Sequence, residues 1–219
     1  MVSKTSMQPR EDLITKSGTF WSDGFAARMY RRYAKRYFGR MQSHVIHRID
    51  STGATRVLDI ACGPGDFLAA LSAARPSFTL AGTDIAPGMV AHARARLGGE
   101  VTITETPADR QPFEDSSFDT VVTTMAFHHF PKLEVLKEVR RILVPGGTYF
   151  IADTVASSTM EKRLWNALER LTGIRGYVDH YTEQDIREWS DASGFENFSS
   201  ERIPGMARRY RLVSFSKPT

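Results

Sequence analysis

From residue 56 onward the chain alternates short apolar runs with amphipathic stretches. Runs at 56–60, 79–83, 101–104, 118–124 and 147–153 read as strands, and helical spacing at 66–74, 87–96 and 132–142 reads as helices. This alternation predicts an α/β fold: a doubly wound, mostly parallel sheet with helices on both faces. Pro145-Gly146-Gly147 predicts a sharp turn after the third of these helices. Beyond Asp153, residues 158–171 carry helical spacing through Leu164, Trp165, Leu168 and Leu171, and 173–180 read as a loop. Thr182 precedes a further helix with acids in its first turn, and Gly194 would end it. Runs near 196–203 and 208–216 predict an antiparallel hairpin closing one edge of the sheet.

Ahead of the first strand, Ser22-Asp23-Gly24 could cap a helix over 25–49. On its wheel Arg28, Arg31, Arg32, Lys35 and Arg36 share one face, and Tyr30, Tyr33, Tyr37, Met41 and Val45 the other. Two readings stand side by side: a surface helix packing its aromatic face on the core, or a lid over a ligand. The chain divides accordingly into a tail and lid helix over 1–50 and a single globular unit over 51–219.

Composition narrows the class. A chain of 219 residues with 41% hydrophobic and 25% charged residues is ordinary for one globular domain. No apolar run approaches the ~20 residues of a membrane span, and the first fifteen residues lack a signal-peptide core. The single cysteine, Cys62, cannot pair within the chain, which agrees with a cytoplasmic protein. The net charge of +4 is uneven: residues 1–50 hold ten Lys/Arg against four Asp/Glu, and 201–219 hold five against one. The remaining fourteen against twenty leave the centre at −6. Such asymmetry marks either a solvated face or a contact with an anionic surface.

The chemistry concentrates in Val57-Leu58-Asp59-Ile60-Ala61-Cys62-Gly63-Pro64-Gly65, an apolar strand passing into a glycine-bearing turn and a helix N-terminus. That geometry lets a ligand lie against bare backbone. Nineteen residues past Gly65, Asp84 closes a second apolar run, where an acid can accept the hydroxyls of a ribose. Asp59-x-Ala61-x-Gly63-x-Gly65 resembles the nucleotide loop of class I S-adenosylmethionine-dependent methyltransferases. So do Ala108-Asp109-Arg110-Gln111-Pro112-Phe113, Ser117-Phe118-Asp119-Thr120-Val121-Val122 and Arg141-Ile142-Leu143-Val144-Pro145-Gly146-Gly147, in the family's order. The likeness runs from about Val57 to the C-terminus and is to the small-molecule enzymes, the ubiquinone/menaquinone and sugar O-methyltransferase-like group.

The resemblance implies a Rossmann-like fold and S-adenosylmethionine as methyl donor, with S-adenosylhomocysteine as product. It implies that Gly63 and Gly65 admit the methionine portion, that Asp59 faces its ammonium, and that Asp84 takes the ribose. Ile85 and Met89 would border the adenine, Asp109 would accept from its amine with Ala108 beside it, and Thr124 and Met125 would border the sulfonium. Where the family commonly has glycine this chain has Ala61, so an ordinary φ is expected there, with the unusual backbone at Gly63 or Gly65.

Methyl transfer from a sulfonium needs a base only when the acceptor is a weak nucleophile such as a hydroxyl. Phe127-His128-His129-Phe130 follows the fourth strand and Asp153 ends the fifth, so a His–Asp contact is expected at neighbouring strand ends. Either histidine could instead pack or cap the next helix. No cluster with metal-ligand spacing is present, and no metal is expected. Tyr30, Tyr33, Tyr177 and His180 are candidates to line the acceptor pocket. The Asn/Asp-Pro-Pro-Tyr/Phe motif of amine-directed nucleic-acid methyltransferases is absent; the strand end reads Thr123-Thr124-Met125-Ala126. These readings favour an enzyme methylating O, N or C of a small, partly apolar molecule, as monomer or homodimer, without a nucleic-acid partner or membrane span. The alternatives are an RNA or protein methyltransferase docking through the basic helix, and a protein that binds S-adenosylmethionine without turnover.

Overall fold

The computed structural model describes residues 25–172 and 178–219, with side chains described from Phe38 onward and Thr172 in backbone only. Helix α1 (Phe25–Asp50) leads into β1 (Arg56–Ile60), α2 (Asp66–Ala74), β2 (Thr79–Asp84), α3 (Pro87–Leu97), β3 (Thr102–Glu105) and β4 (Phe118–Thr124). Then come α4 (Lys132–Ile142), β5 (Leu143–Thr154), α5 (Thr159–Thr172), α6 (Glu183–Ala192), β6 (Glu196–Arg202) and β7 (Tyr210–Ser216). The seven strands form one sheet in the order β3-β2-β1-β4-β5-β7-β6. Strands β1 to β5 run parallel, and β7 lies antiparallel between β5 and β6. The strand order reverses between β1 and β4, so the connections leaving their carboxyl ends run in opposite directions, the usual ligand position in open α/β sheets.

Two apolar layers cover the sheet, as strands buried on both faces require. On one side Met41, Val45 and Ile49 of α1 join Phe67, Leu68 and Leu71 of α2 and Val90 and Ala93 of α3 over Val57 and Val122. On the other, Val135, Leu136, Val139 and Ile142 of α4 and Ile186 of α6 pack over Leu58, Ile60, Val121 and Ile151. The foot of α1 is tied down where Arg75 Nε donates to Asp50 Oδ1 at 2.7 Å. At the amino edge of the sheet, Asp119 accepts from the Thr55 and Arg56 backbone and from the Arg56 guanidinium. Burial works against its ionisation, but the guanidinium and backbone donors hold its carboxyl below the usual range.

One element differs from the sequence reading, and a second gains an orientation the sequence leaves open. Strand β5 starts at Leu143, and its register against β4 jumps from Phe118↔Leu143 to Thr120↔Thr148. The Pro145-Gly146-Gly147 turn is therefore a bulge inside the strand, with Gly146 at φ 76°. Helix α5 has the expected extent, and the structure shows which of its faces turns inward. Its polar side faces the body, where Lys162 Nζ donates to Asp185 at 2.7 Å and Asn166 pairs with both backbone groups of His180. Its apolar stripe faces outward, with Met160 at 81% and Leu171 at 84% exposure.

Candidate functional site

The loop after β1 is built by three residues with left-handed backbone: Ala61 at φ 60°, Gly63 at 53° and Gly65 at 79°. The value at Ala61 corrects the expected ordinary conformation. The chain must reverse at once on leaving β1, and the turn at Ala61 lets the Cys62 N–H donate to Thr83 O at 2.9 Å. It also sends the Cys62 side chain into the core, against the bare face of Gly82. A Cβ at Gly82 would lie 2.6 Å from Leu68 Cδ1 and 3.0 Å from Cys62 Sγ. Alanine tolerates this conformation at a cost of about 1 kcal/mol, which the buried contacts beneath it offset.

Asp84 ends β2 and grips the loop from the side. Its Oδ2 accepts from Gly63 N at 2.8 Å and its Oδ1 from Ala86 N at 2.9 Å. Burial raises its pKa, while those backbone donors pull the other way. Each oxygen keeps a second lone pair for a ligand hydroxyl. Ile85, next along, is an exposed apolar side chain, and Met89 lies half-buried one turn into α3.

Asp59 presents the most unusual electrostatics. Its carboxyl is fully buried, and neither oxygen has a hydrogen-bond partner. Burial, and then the nearby Asp84 charge, push its pKa well up. A buried carboxylate without donors is costly, and a cationic ligand group beside the loop would supply what it lacks. The orphaned Asp59, the open space over Gly63 and the exposed Ile85 all fit an amino-acid nucleoside lying across this edge.

Beyond β2, Ala108 and Asp109 sit half-buried in the loop after β3. Gln111 organises that loop: its Nε2 donates to Pro107 O and Ala108 O, and its Oε1 accepts from Thr83 Oγ1 at 3.1 Å. The sequence reading quoted Gln111 in a motif without giving it this role. Thr124 and Met125 close β4, where Met125 turns at φ 54° and donates its N–H to Ala152 O at 2.9 Å.

Past Met125 the chain makes a short 3₁₀ turn, Phe127–His129, anchored by the fully buried Phe127 ring. His128 Nδ1 lies 2.8 Å from Asp153 Oδ1 and 2.9 Å from Oδ2. Asp153, at the end of β5, also accepts from His128 N at 3.1 Å and Thr154 N at 2.7 Å. Its burial alone would raise its pKa, but the His128 contact and these donors hold it below the usual carboxylate range. Of the two adjacent histidines, His128 meets the carboxylate; His129 is exposed, with its ring 4.2 Å from that of His128. They lie on a 3₁₀ turn, not on a strand, so their rings are neighbours rather than opposed. Two buried aromatic residues pack beside this pair. Tyr181 and Tyr149 are both fully buried, and Tyr149 Oη lies 2.9 Å from Thr123 Oγ1. Burial and then the Asp153 charge push the Tyr181 phenol well up.

Of the acceptor-side candidates, His180 is the one whose side chain is described. His180 is held by α5, its ring 6.0 Å from Trp165 and its Nε2 3.9 Å from Glu169 Oε1. The side chains of Tyr30 and Tyr33, and all of Tyr177, lie outside the described residues. Among the described residues no three His, Cys, Asp or Glu side chains group as metal ligands, and no helix is long and apolar enough to cross a membrane.

Comparison with known proteins points the same way as the loop and its acids. Residues 57–147 match the family model described as a methyltransferase domain. The chain is 28% identical over 155 residues to a ubiquinone/menaquinone biosynthesis C-methyltransferase of Geobacter, covering 68% of this chain and 60% of that protein. It is 37% identical over 102 residues to a demethylmenaquinone methyltransferase of Thermus thermophilus, covering 45% of this chain and 46% of that one. The chain therefore spans about half of the length of these curated relatives. Human N-acetylserotonin methyltransferase, solved in complex with S-adenosylmethionine, shares the fold with a TM-score of 0.65 at 16% identity, over 99% of this chain and 68% of that one.

Proposed function

We propose that this chain, which carries a class I S-adenosylmethionine-dependent methyltransferase domain, methylates a small, partly apolar acceptor activated by loss of a hydroxyl proton. The observation that carries this reading is the His128–Asp153 pair at the carboxyl ends of β4 and β5. A relative named as a ubiquinone/menaquinone biosynthesis C-methyltransferase and another named as a sterol 4-C-methyltransferase of Caenorhabditis elegans support an apolar acceptor class.

The donor supplies an activated methyl group on a sulfonium. Asp59 would face its ammonium, Gly63 and Gly65 would admit its methionine backbone, and Asp84 would accept from the ribose. Ile85 and Met89 would border the base, with Ala108 and Asp109 at its far edge. Thr124 and Met125 would line the reacting centre.

The chain's own chemistry lies in His128. With Nδ1–H donated to Asp153, the lone pair sits on Nε2. An acceptor hydroxyl placed within hydrogen-bond reach of Nε2 would lose its proton to the imidazole as its oxygen takes the methyl group and the donor sulfur leaves as the neutral thioether; were a conjugated ring carbon methylated instead, that carbon would afterwards release its own proton to solvent. Asp153 holds the ring in that tautomer and stabilises the imidazolium that results. His129 and His180 have no assigned step; His180 would border the acceptor from the segment that precedes α6.

The test is one pair of measurements on wild type and His128→Ala. Calorimetry with S-adenosylmethionine should show equal binding in both. Turnover of a hydroxylated aromatic acceptor at saturation should fall by about 10²–10⁴ in the variant, the usual range for a lost general base. Undiminished turnover in a folded His128→Ala protein would refute the base.

A further inference from the structure

Lys132 occupies a position that helix energetics do not explain. It opens α4, where the helix dipole favours an acid rather than a cation. It is also buried, with 8% exposure, although a long flexible cation is among the side chains least often found inside. Its surroundings account for both departures. Lys132 Nζ donates to Phe130 O at 2.9 Å and to His128 O at 3.4 Å. It lies 3.7 Å from Asp179 Oδ2, and 5.7 and 5.6 Å from the centroids of the Phe127 and Tyr181 rings. The two carbonyls belong to the turn that carries His128. Asp179 belongs to the segment that docks on the same turn, since Asp179 N donates to His128 O at 3.0 Å. Burial pulls the Lys132 pKa down, while the Asp179 and Asp153 carboxylates push it up.

We propose that Lys132 is a positioning residue for His128. It clamps the two carbonyls of the 3₁₀ turn and the Asp179 segment together, and so fixes the imidazole against Asp153. This rests on the reading of His128 as the base, but its first consequence is geometric. Without the ammonium, the turn keeps its backbone bonds from His129 and Phe130 and the Asp179 N–H bond to His128 O, but loses the cation that ties the Phe130 carbonyl and the Asp179 carboxylate to it. The imidazole would then sample rotamers that break the Nδ1 contact. A catalytic ring displaced by even an ångström loses rate steeply.

The experiment compares the full chain with Lys132→Met, which keeps length and apolar bulk, and Lys132→Gln, which keeps a donor. The first readout is the His128 Nδ1 proton by NMR on ¹⁵N-histidine-labelled protein. Its resonance should be sharp in wild type, broadened or lost in Lys132→Met, and partly kept in Lys132→Gln. The second is kinetic: kcat at saturating acceptor should fall at least tenfold in Lys132→Met, with S-adenosylmethionine affinity unchanged within about twofold. If Lys132→Met fails to fold, the Lys132→Gln readouts decide. An unchanged Nδ1 resonance and unchanged kcat in a folded variant would overturn the proposal. If His128→Ala keeps its turnover, the base reading fails alone, because the Nδ1 resonance still reports whether Lys132 fixes the ring.

Discussion

Asp59 and Asp153 end strands on either side of β4, both are fully buried, and their situations are opposite. Asp153 has its ring partner and two backbone N–H donors already in place, so its charge is satisfied by the protein. Asp59 has none, so its charge is left for something else to satisfy. The β4–β5 half is thus finished by the chain itself, in the manner of a preorganised catalytic group. The β1–β2 half has a rigid backbone cradle but unfinished electrostatics, as suits a place completed by a ligand.

The sharpest way to break this contrast is Asp153→Asn. An amide there faces two backbone N–H donors with one oxygen, and each buried donor left unpaired costs about 1–3 kcal/mol. Urea unfolding at pH 7 should show that loss. The pH profile carries the same sign. The folded pKa of Asp153 lies below its unfolded value of about 4, so its contribution is present above pH ~4 and disappears as pH falls through the folded value.

Asp59→Asn should do the reverse. Its folded pKa lies above the unfolded value, so its stabilising contribution belongs to low pH and is lost as pH rises from about 4 through the folded value. At pH 7 the neutral amide should therefore stabilise the ligand-free protein, on the order of 1–3 kcal/mol, the scale of an uncompensated buried polar group. It should weaken S-adenosylmethionine binding at the same time. A variant that is less stable at pH 7, or that binds the donor as well as wild type, would remove the contrast with Asp153.

The smallest effect is expected at Ala61→Gly. Relief of a left-handed alanine gains about 1 kcal/mol, and the added freedom of the unfolded chain takes back roughly 0.5–1 kcal/mol. The melting temperature should hardly move. A large rise would mean that the loop stores more strain than its three left-handed residues imply.

What the sequence made legible follows from what leaves a one-dimensional trace. Strand and helix periods are local, so β1, β4, α2 and α4 start and stop where the pattern says. Acids at the ends of apolar runs mark Asp59, Asp84 and Asp153 as sheet-edge residues without any tertiary knowledge. The backbone at Ala61 was missed because its φ is set by where Cys62 must go, under a glycine twenty residues later. The orientation of α5 left no trace because amphipathic spacing reveals two faces but not which one turns inward; Lys162 and Asn166 find partners on α6 and at His180. Neither the choice between His128 and His129 nor the burial of Lys132 has a local signature, since both depend on β5 and on residues 179–181.

The fit of Cys62 beneath Gly82 has a practical corollary. The thiol is 6% exposed, and burial, reinforced by the Asp59 and Asp84 charges, drives its ionisation far above neutral pH. A thiolate-seeking reagent can therefore react only during excursions that lift the β1 loop off the sheet. As the single cysteine of the chain, Cys62 is a native clock for those openings. Its labelling rate reads loop dynamics directly, with no introduced probe.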